Sequence, residues 1–153
     1  MVTGPVPIDA QIGAMLGRWP SFDLVRRSKD MAAWRGALKP IFVQYEIGIF
    51  YRVPGILEAP SHRHQPIVRV LSPRLKPRAD DPEGNLPHVY PDGTASPPLC
   101  LFDLEAREWN AWKLLAETTV PWAIDWLACY EGWRATGTWA GGGRHPGEER
   151  SGQ

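Results

Sequence analysis

The chain has 153 residues, room for one ordinary domain and a core large enough to need no disulfide or metal. Its 17 basic and 17 acidic residues cancel, which excludes the electrostatic footprint of a nucleic-acid or anionic-membrane binder and leaves a protein or a neutral group as partner. Two cysteines cannot make a disulfide framework, no run approaches the roughly 18 apolar residues of a membrane span, and the N-terminus lacks a signal-peptide pattern. Together these predict a soluble cytoplasmic protein with free thiols.

Residues 8–17 predict a short helix, with Ile8, Ile12, Met15 and Leu16 on its apolar face and Gly17 at its end. Residues 22–27 read as a first strand. Residues 32–38 read as a second, with Trp34, Gly36 and Leu38 on one face. The clearest strand spans 41–53, where Val43, Tyr45, Ile47, Ile49 and Tyr51 alternate with Gln44, Glu46 and Gly48. A fourth lies between Pro66 and Pro73. Short connections between consecutive strands predict a four-stranded antiparallel meander.

From 73 to 99 the periodicity stops. Seven prolines and two glycines fall in that stretch, and a loop so long is either disordered or functional. Its apolar residues Leu86, Val89, Tyr90, Leu99 and Leu101 predict that it packs down. Residues 105–117 predict one helix. A second follows, capped by Thr118 or Thr119 with Pro121 in its first turn. Trp122, Trp126, Cys129 and Trp133 share one face of it, with Asp125, Glu131 and Arg134 pointing elsewhere. The fold class is α+β: N-terminal helix, four-stranded meander, long loop and C-terminal helices. A domain over 1–140 precedes a polar glycine-rich tail, 141–153, that cannot build a core.

Chemistry concentrates on Cys100. A thiolate is a strong nucleophile near neutral pH and forms thioesters readily. Cys100 sits where the long loop re-enters structure, in Leu99-Cys100-Leu101-Phe102. The competing reading makes it one more small buried residue. Cys129, on the tryptophan face, reads as core. His88, twelve residues before Cys100, either fixes the loop through a hydrogen bond or moves a proton. His62 and His64 read as solvated, because two imidazoles without a paired carboxylate or thiol do not make a zinc set. His145 lies in the tail, from which it could fold back onto the site. No phosphate loop, dinucleotide fingerprint or nucleophilic serine elbow occurs, so neither cofactor nor metal is expected.

The order of these pieces resembles the ubiquitin-conjugating enzymes. It comprises Trp34-Arg35-Gly36, the long strand to Pro54, Val70-Leu71-Ser72-Pro73, His88-Val89-Tyr90-Pro91-Asp92-Gly93 and Leu99-Cys100-Leu101. The resemblance covers roughly 8–136 and runs closest to the compact bacterial members found in CBASS anti-phage operons beside a cGAS-like nucleotidyltransferase. The tryptophan-rich segment 119–133 and the segment 139–143 look like that branch. The resemblance implies a ubiquitin-conjugating-enzyme-like fold. It also implies a transferase that accepts the C-terminus of a partner protein, the cGAS-like nucleotidyltransferase, as a thioester on Cys100. A lysine of a target protein then receives it.

Two departures from the family pattern bear on the site. Tyr90 stands where the family carries an asparagine credited with oxyanion stabilisation, and the insertion 94–98 lengthens the path from His88 to Cys100. A phenol can donate one hydrogen bond to an oxyanion, with a different reach from an amide. Asp103 is a candidate to orient the attacking amine, or else a helix cap or solvated carboxylate. Two alternatives stay open: a non-catalytic binding module on the same fold, and a cysteine hydrolase using Cys100 with His88 or His145.

Overall fold

The structure, a computed structural model, describes residues 4–55, 65–80, 84–102 and 109–140. Helix α1 (Ile8–Arg18) leads into four strands: β1 (Asp23–Arg27), β2 (Met31–Leu38), β3 (Tyr45–Arg52) and β4 (Ile67–Ser72). They form one antiparallel sheet in the order β1-β2-β3-β4. Helix α2 (Thr119–Thr136) is the last element, followed by described residues 137–140. The α+β class and the meander are as expected from the sequence.

One face of the sheet is dry. Period-two alternation puts Ala32, Trp34 and Leu38 of β2 on it, with Tyr45, Ile47, Ile49 and Tyr51 of β3 and Val68 and Val70 of β4. Each large aliphatic side chain buried there contributes on the order of 1.5–3 kcal/mol. Gly36 carries no side chain because the Phe22 ring occupies its place; a Cβ there would lie 2.5 Å from the ring. Strand β1 is exposed along its whole length and forms one edge. The other edge, β4, borders the long loop.

Three expectations change. In α1 the inward face is Ile8, Gln11 and Met15, with Ile12 half-buried and Leu16 67 % exposed. Gln11 is wholly buried because both ends of its amide are used: it donates to the Lys113 carbonyl (2.9 Å) and accepts from the Leu115 amide (2.9 Å). Strand β3 begins at Tyr45, four residues later than the apolar run suggested. The Phe42 and Val43 amides donate to the Glu131 carboxylate (3.4 and 3.0 Å) instead of joining the ladder, which leaves Phe42 84 % exposed. Residues 109–118 form turns and not the expected helix over 105–117, whose first part lies outside the described residues. There the Gln11 amide takes Leu115 N and Lys113 O, and Trp19 Nε1 donates to Ala116 O (2.8 Å), so this backbone bonds to α1 and its following turn.

Helix α2 starts as predicted, though Thr118 caps it without a side-chain bond to the helix; its hydroxyl donates to Leu114 O and accepts from Trp109 Nε1. The helix buries Val120, Ala123, Trp126, Leu127, Tyr130 and Trp133. Trp122 and Cys129 flank that stripe and are half-buried. Gly137 ends the helix in the left-handed conformation, and Arg78 from the long loop donates to the Trp133 and Arg134 carbonyls (3.0 and 2.8 Å). No helix among the described residues is long and apolar enough to cross a membrane.

Candidate active site

The long loop is packed and bonded, as its apolar residues predicted. Leu75, Val89 and Leu99 are buried, with Leu86 and Leu101 packed against the core. Its part around Cys100 is a two-strand bridge. Val89 pairs antiparallel with Leu99, framed by Tyr90 N donating to Pro98 O (2.8 Å) and Cys100 N donating to His88 O (2.9 Å). The Leu99 amide donates to Val68 O (2.9 Å), which docks the bridge on edge strand β4. Side chains alternate across such a bridge, so Val89 and Leu99 enter the core while Tyr90 and Cys100 share the opposite face.

That register brings the Cys100 thiol to the Tyr90 hydroxyl, 3.2 Å away, with the Phe102 carbonyl at 3.6 Å. Phe102 lies beneath, its ring 5.8 Å from Trp122 and 6.5 Å from Trp109. Neither cysteine is in a disulfide; Cys100 is buried, at 7 % exposed, whereas Cys129 is half-buried. The expectation that Cys129 is core is therefore corrected: it is the less buried of the two. Loop position did not mean exposure, because the Tyr90 hydroxyl and the Phe102 carbonyl lie against the Cys100 sulfur.

The His88 backbone is bonded to the thiol's segment and to α2. Its carbonyl accepts from Cys100 N and from Trp126 Nε1, each at 2.9 Å, and so ties the thiol's segment to the middle of α2. Its φ of +53° lies in the left-handed region, where histidine, asparagine and aspartate are the tolerated non-glycine residues. The imidazole packs on Trp139, ring centres 4.7 Å apart, and Trp139 meets Trp126 edge-on at 5.1 Å.

The insertion 94–98 belongs to the turn of the bridge, and Arg69 of β4 holds that turn. Its guanidinium pairs with Asp92 (2.8 Å) and donates to Thr94 Oγ1 (3.2 Å) and Ser96 O (2.8 Å). The Thr94 hydroxyl donates to Asp92 (2.6 Å), and with Arg69 it holds the Asp92 carboxyl down at about 2. Sequence reading missed Arg69 as a support of the loop. The one available signal was a basic residue on the outward face of the strand nearest an acidic turn.

Of the residues singled out in the sequence, Cys100, Tyr90 and the His88 backbone come together. Asp103, His145, His62, His64 and the tail 141–153 lie outside the described residues. Among the described residues no group of three or more histidine, cysteine, aspartate or glutamate side chains is placed to hold a metal ion. The geometry offers a sheltered thiol beside a hydroxyl, on a loop fixed at β4, at α2 and through its own turn.

Comparison with curated proteins finds no match. A family model described as Type II CBASS E2 protein matches residues 11–146, which span α1, the sheet, the Cys100 bridge and α2. The chain belongs to the type II CBASS E2 family, whose role is related to conjugation in anti-phage defence.

Proposed function

We propose that this chain is a ubiquitin-conjugating-like transferase, built on that family's fold, whose acyl acceptor is Cys100. The observation that carries the reading is the Cys100 sulfur 3.2 Å from the Tyr90 hydroxyl, on a backbone bonded to both β4 and α2. Keeping water away slows hydrolysis of a thioester, and a nucleophile with 7 % exposure on a bonded loop meets that need better than one on a free loop. A cysteine hydrolase makes the opposite demand, a water delivered to the acyl sulfur.

Two acyl transfers follow. The donor's C-terminal carbonyl, activated as a mixed anhydride with a phosphate or nucleotide, meets the Cys100 sulfur. An S–C bond forms, the C–O bond to the phosphate breaks, and the phosphate departs with its electron pair while the thiol proton is released. A neutral lysine amine of the target then attacks the thioester carbon. An amide forms, the C–S bond breaks, and a proton from the amine balances the returning thiol. The donor proposed is the C-terminus of the cGAS-like nucleotidyltransferase encoded beside such E2 proteins. A net charge of zero on the chain fits a protein donor and gives nucleic acid no general attraction.

Co-expression with the neighbouring nucleotidyltransferase, followed by intact mass before and after excess thiol, tests this. The expected result is an adduct of the two proteins that thiol cleaves and that Cys100→Ala abolishes. The same adduct on the Cys100→Ala protein overturns the proposal in favour of a binding module that uses the fold without the thiol.

A further inference from the structure

We infer that Tyr90 is a catalytic residue that stays with the reacting group throughout. Its hydroxyl accepts from the Cys100 thiol at rest, donates to the sulfur once that ionises, and donates to the carbonyl oxygen that becomes negative during acyl transfer. The inference rests on the reading of Cys100 as acyl acceptor and adds the group that manages its charge.

Three observations carry it. The hydroxyl oxygen lies 3.2 Å from Sγ, a hydrogen-bond distance for sulfur. The bridge that sets this contact is hydrogen-bonded on both of its sides, through Tyr90 N to Pro98 O and Cys100 N to His88 O. Burial of Cys100 leaves little water to solvate a thiolate, so a donor from the protein must do so.

The chemistry fits a phenol. A hydroxyl is both donor and acceptor, so it reverses its hydrogen bond by rotating one O–H, without moving a heavy atom. A phenol ordinarily holds its proton more tightly than a thiol, about 10 against about 8.5. When one proton leaves the pair it therefore leaves the sulfur, and O–H···S⁻ outweighs O⁻···H–S by about 30-fold. An acyl group on Sγ carries its carbonyl oxygen two bonds away, so a donor already at the sulfur is within reach of the oxyanion. Tyr90 keeps its own proton through the whole sequence. The thiol's proton goes to the leaving group of the activated donor carbonyl or to solvent, and that activating group is the co-reactant the step consumes.

Tyr90→Phe removes the hydroxyl and keeps the ring. The test uses the full chain with Cys129→Ser, so that one thiol is read. Alkylation of Cys100 by iodoacetamide is followed by intact mass over roughly pH 6 to 10, a span that brackets an ordinary thiol. In parallel, the rate of the thiol-sensitive adduct with the nucleotidyltransferase is measured. Tyr90→Phe is expected to move the alkylation profile to higher pH and to slow adduct formation by about 100-fold. Superimposable alkylation profiles overturn the inference, and if the wild-type adduct forms, Cys100 stands as acceptor without Tyr90. A shifted profile with an unchanged adduct rate overturns the oxyanion role. A shifted profile with no wild-type adduct supports the pairing of hydroxyl and thiol and overturns the acyl-acceptor reading instead.

Discussion

The Trp139 indole packs against the His88 imidazole with ring centres 4.7 Å apart, past the end of α2 and against the loop that carries the thiol. The same indole meets Trp126 at 5.1 Å, and Trp126 Nε1 donates to the His88 carbonyl. His88 is thus held on its side chain by one tryptophan and on its backbone by the other. Its carbonyl in turn fixes Cys100 N. The chain following α2 therefore touches the loop of Cys100 through His88, and we propose His88 and Trp139 as positioning residues.

His88→Asn is expected to keep activity within about tenfold, a barrier change below about 1.4 kcal/mol. Asparagine tolerates the left-handed φ of +53° and preserves the carbonyl that accepts from Cys100 and Trp126. It cannot shuttle a proton. Adduct rates for His88→Asn and His88→Val separate the roles: the β-branched variant should fall well below the asparagine one. If both lose adduct formation alike while Cys100 alkylation stays normal, the imidazole carries a proton and the backbone account is wrong.

Trp126→Ala should destabilise the fold by about 3–5 kcal/mol. Trp126 is 5 % exposed and stacks on Tyr130 at 5.7 Å with planes 11° apart. Trp126→Phe keeps most of the packing and gives up the bond to His88 O, at about 1 kcal/mol. Urea midpoints with unchanged slope measure both. A loss below about 1 kcal/mol for the alanine variant would contradict this burial.

The sheet was legible because its strands obey one rule: alternation in β3 names Tyr45, Ile47, Ile49 and Tyr51 as core, and all four are buried. The loop's packing was legible from its apolar residues, Val89 and Leu99 among them, because a loop with no use for apolar side chains in solvent must pack them down. What failed were places where a polar group does the organising. Helical spacing favoured Leu16 over Gln11, yet an amide with two buried backbone partners belongs inside and a leucine with no facing element does not. Glu131 shortened β3 by taking two of its expected amides. At the site, Cys100 and Tyr90 were picked out separately, but their contact depends on the register of Val89 against Leu99, which pairs residues across an insertion. No local pattern gives a register of that kind.

The turn of the bridge should loosen in acid over a narrow range. Hydrogen bonding from Thr94, and then from Arg69, lowers the Asp92 carboxyl from 3.8 to about 2. A carboxyl lowered by folding stabilises the folded turn fully above its ordinary value and loses that contribution as pH falls from there towards about 2. Asp92→Asn should therefore flatten the pH dependence of stability across that interval and leave it unchanged near neutrality. Acid titration of the two proteins by tryptophan fluorescence measures the difference. Coincident curves would show that Asp92 does not hold the turn.

The substitution series at Cys100 separates chemistry from packing. Cys100→Ala removes one buried sulfur and should cost about 1 kcal/mol, leaving a folded protein with no adduct. Cys100→Ser places a hydroxyl where the Tyr90 hydroxyl and the Phe102 carbonyl both stand ready as partners, so it should fold well. As a weaker nucleophile it should accumulate an oxygen ester slowly, stable to thiol and cleaved by base. Cys100→Lys would give an amide stable to both, but it carries an ammonium to a position 7 % exposed and should be the least stable of the three. Melting temperatures should therefore rank serine and alanine above lysine, while adduct chemistry ranks as thioester, ester and amide. Measuring both on the same preparations keeps a folding defect from passing as a catalytic one. If the serine protein is folded, binds the nucleotidyltransferase and yet yields the thiol-cleavable adduct of the wild type, the acyl group sits on another residue and Cys100 is not the acceptor.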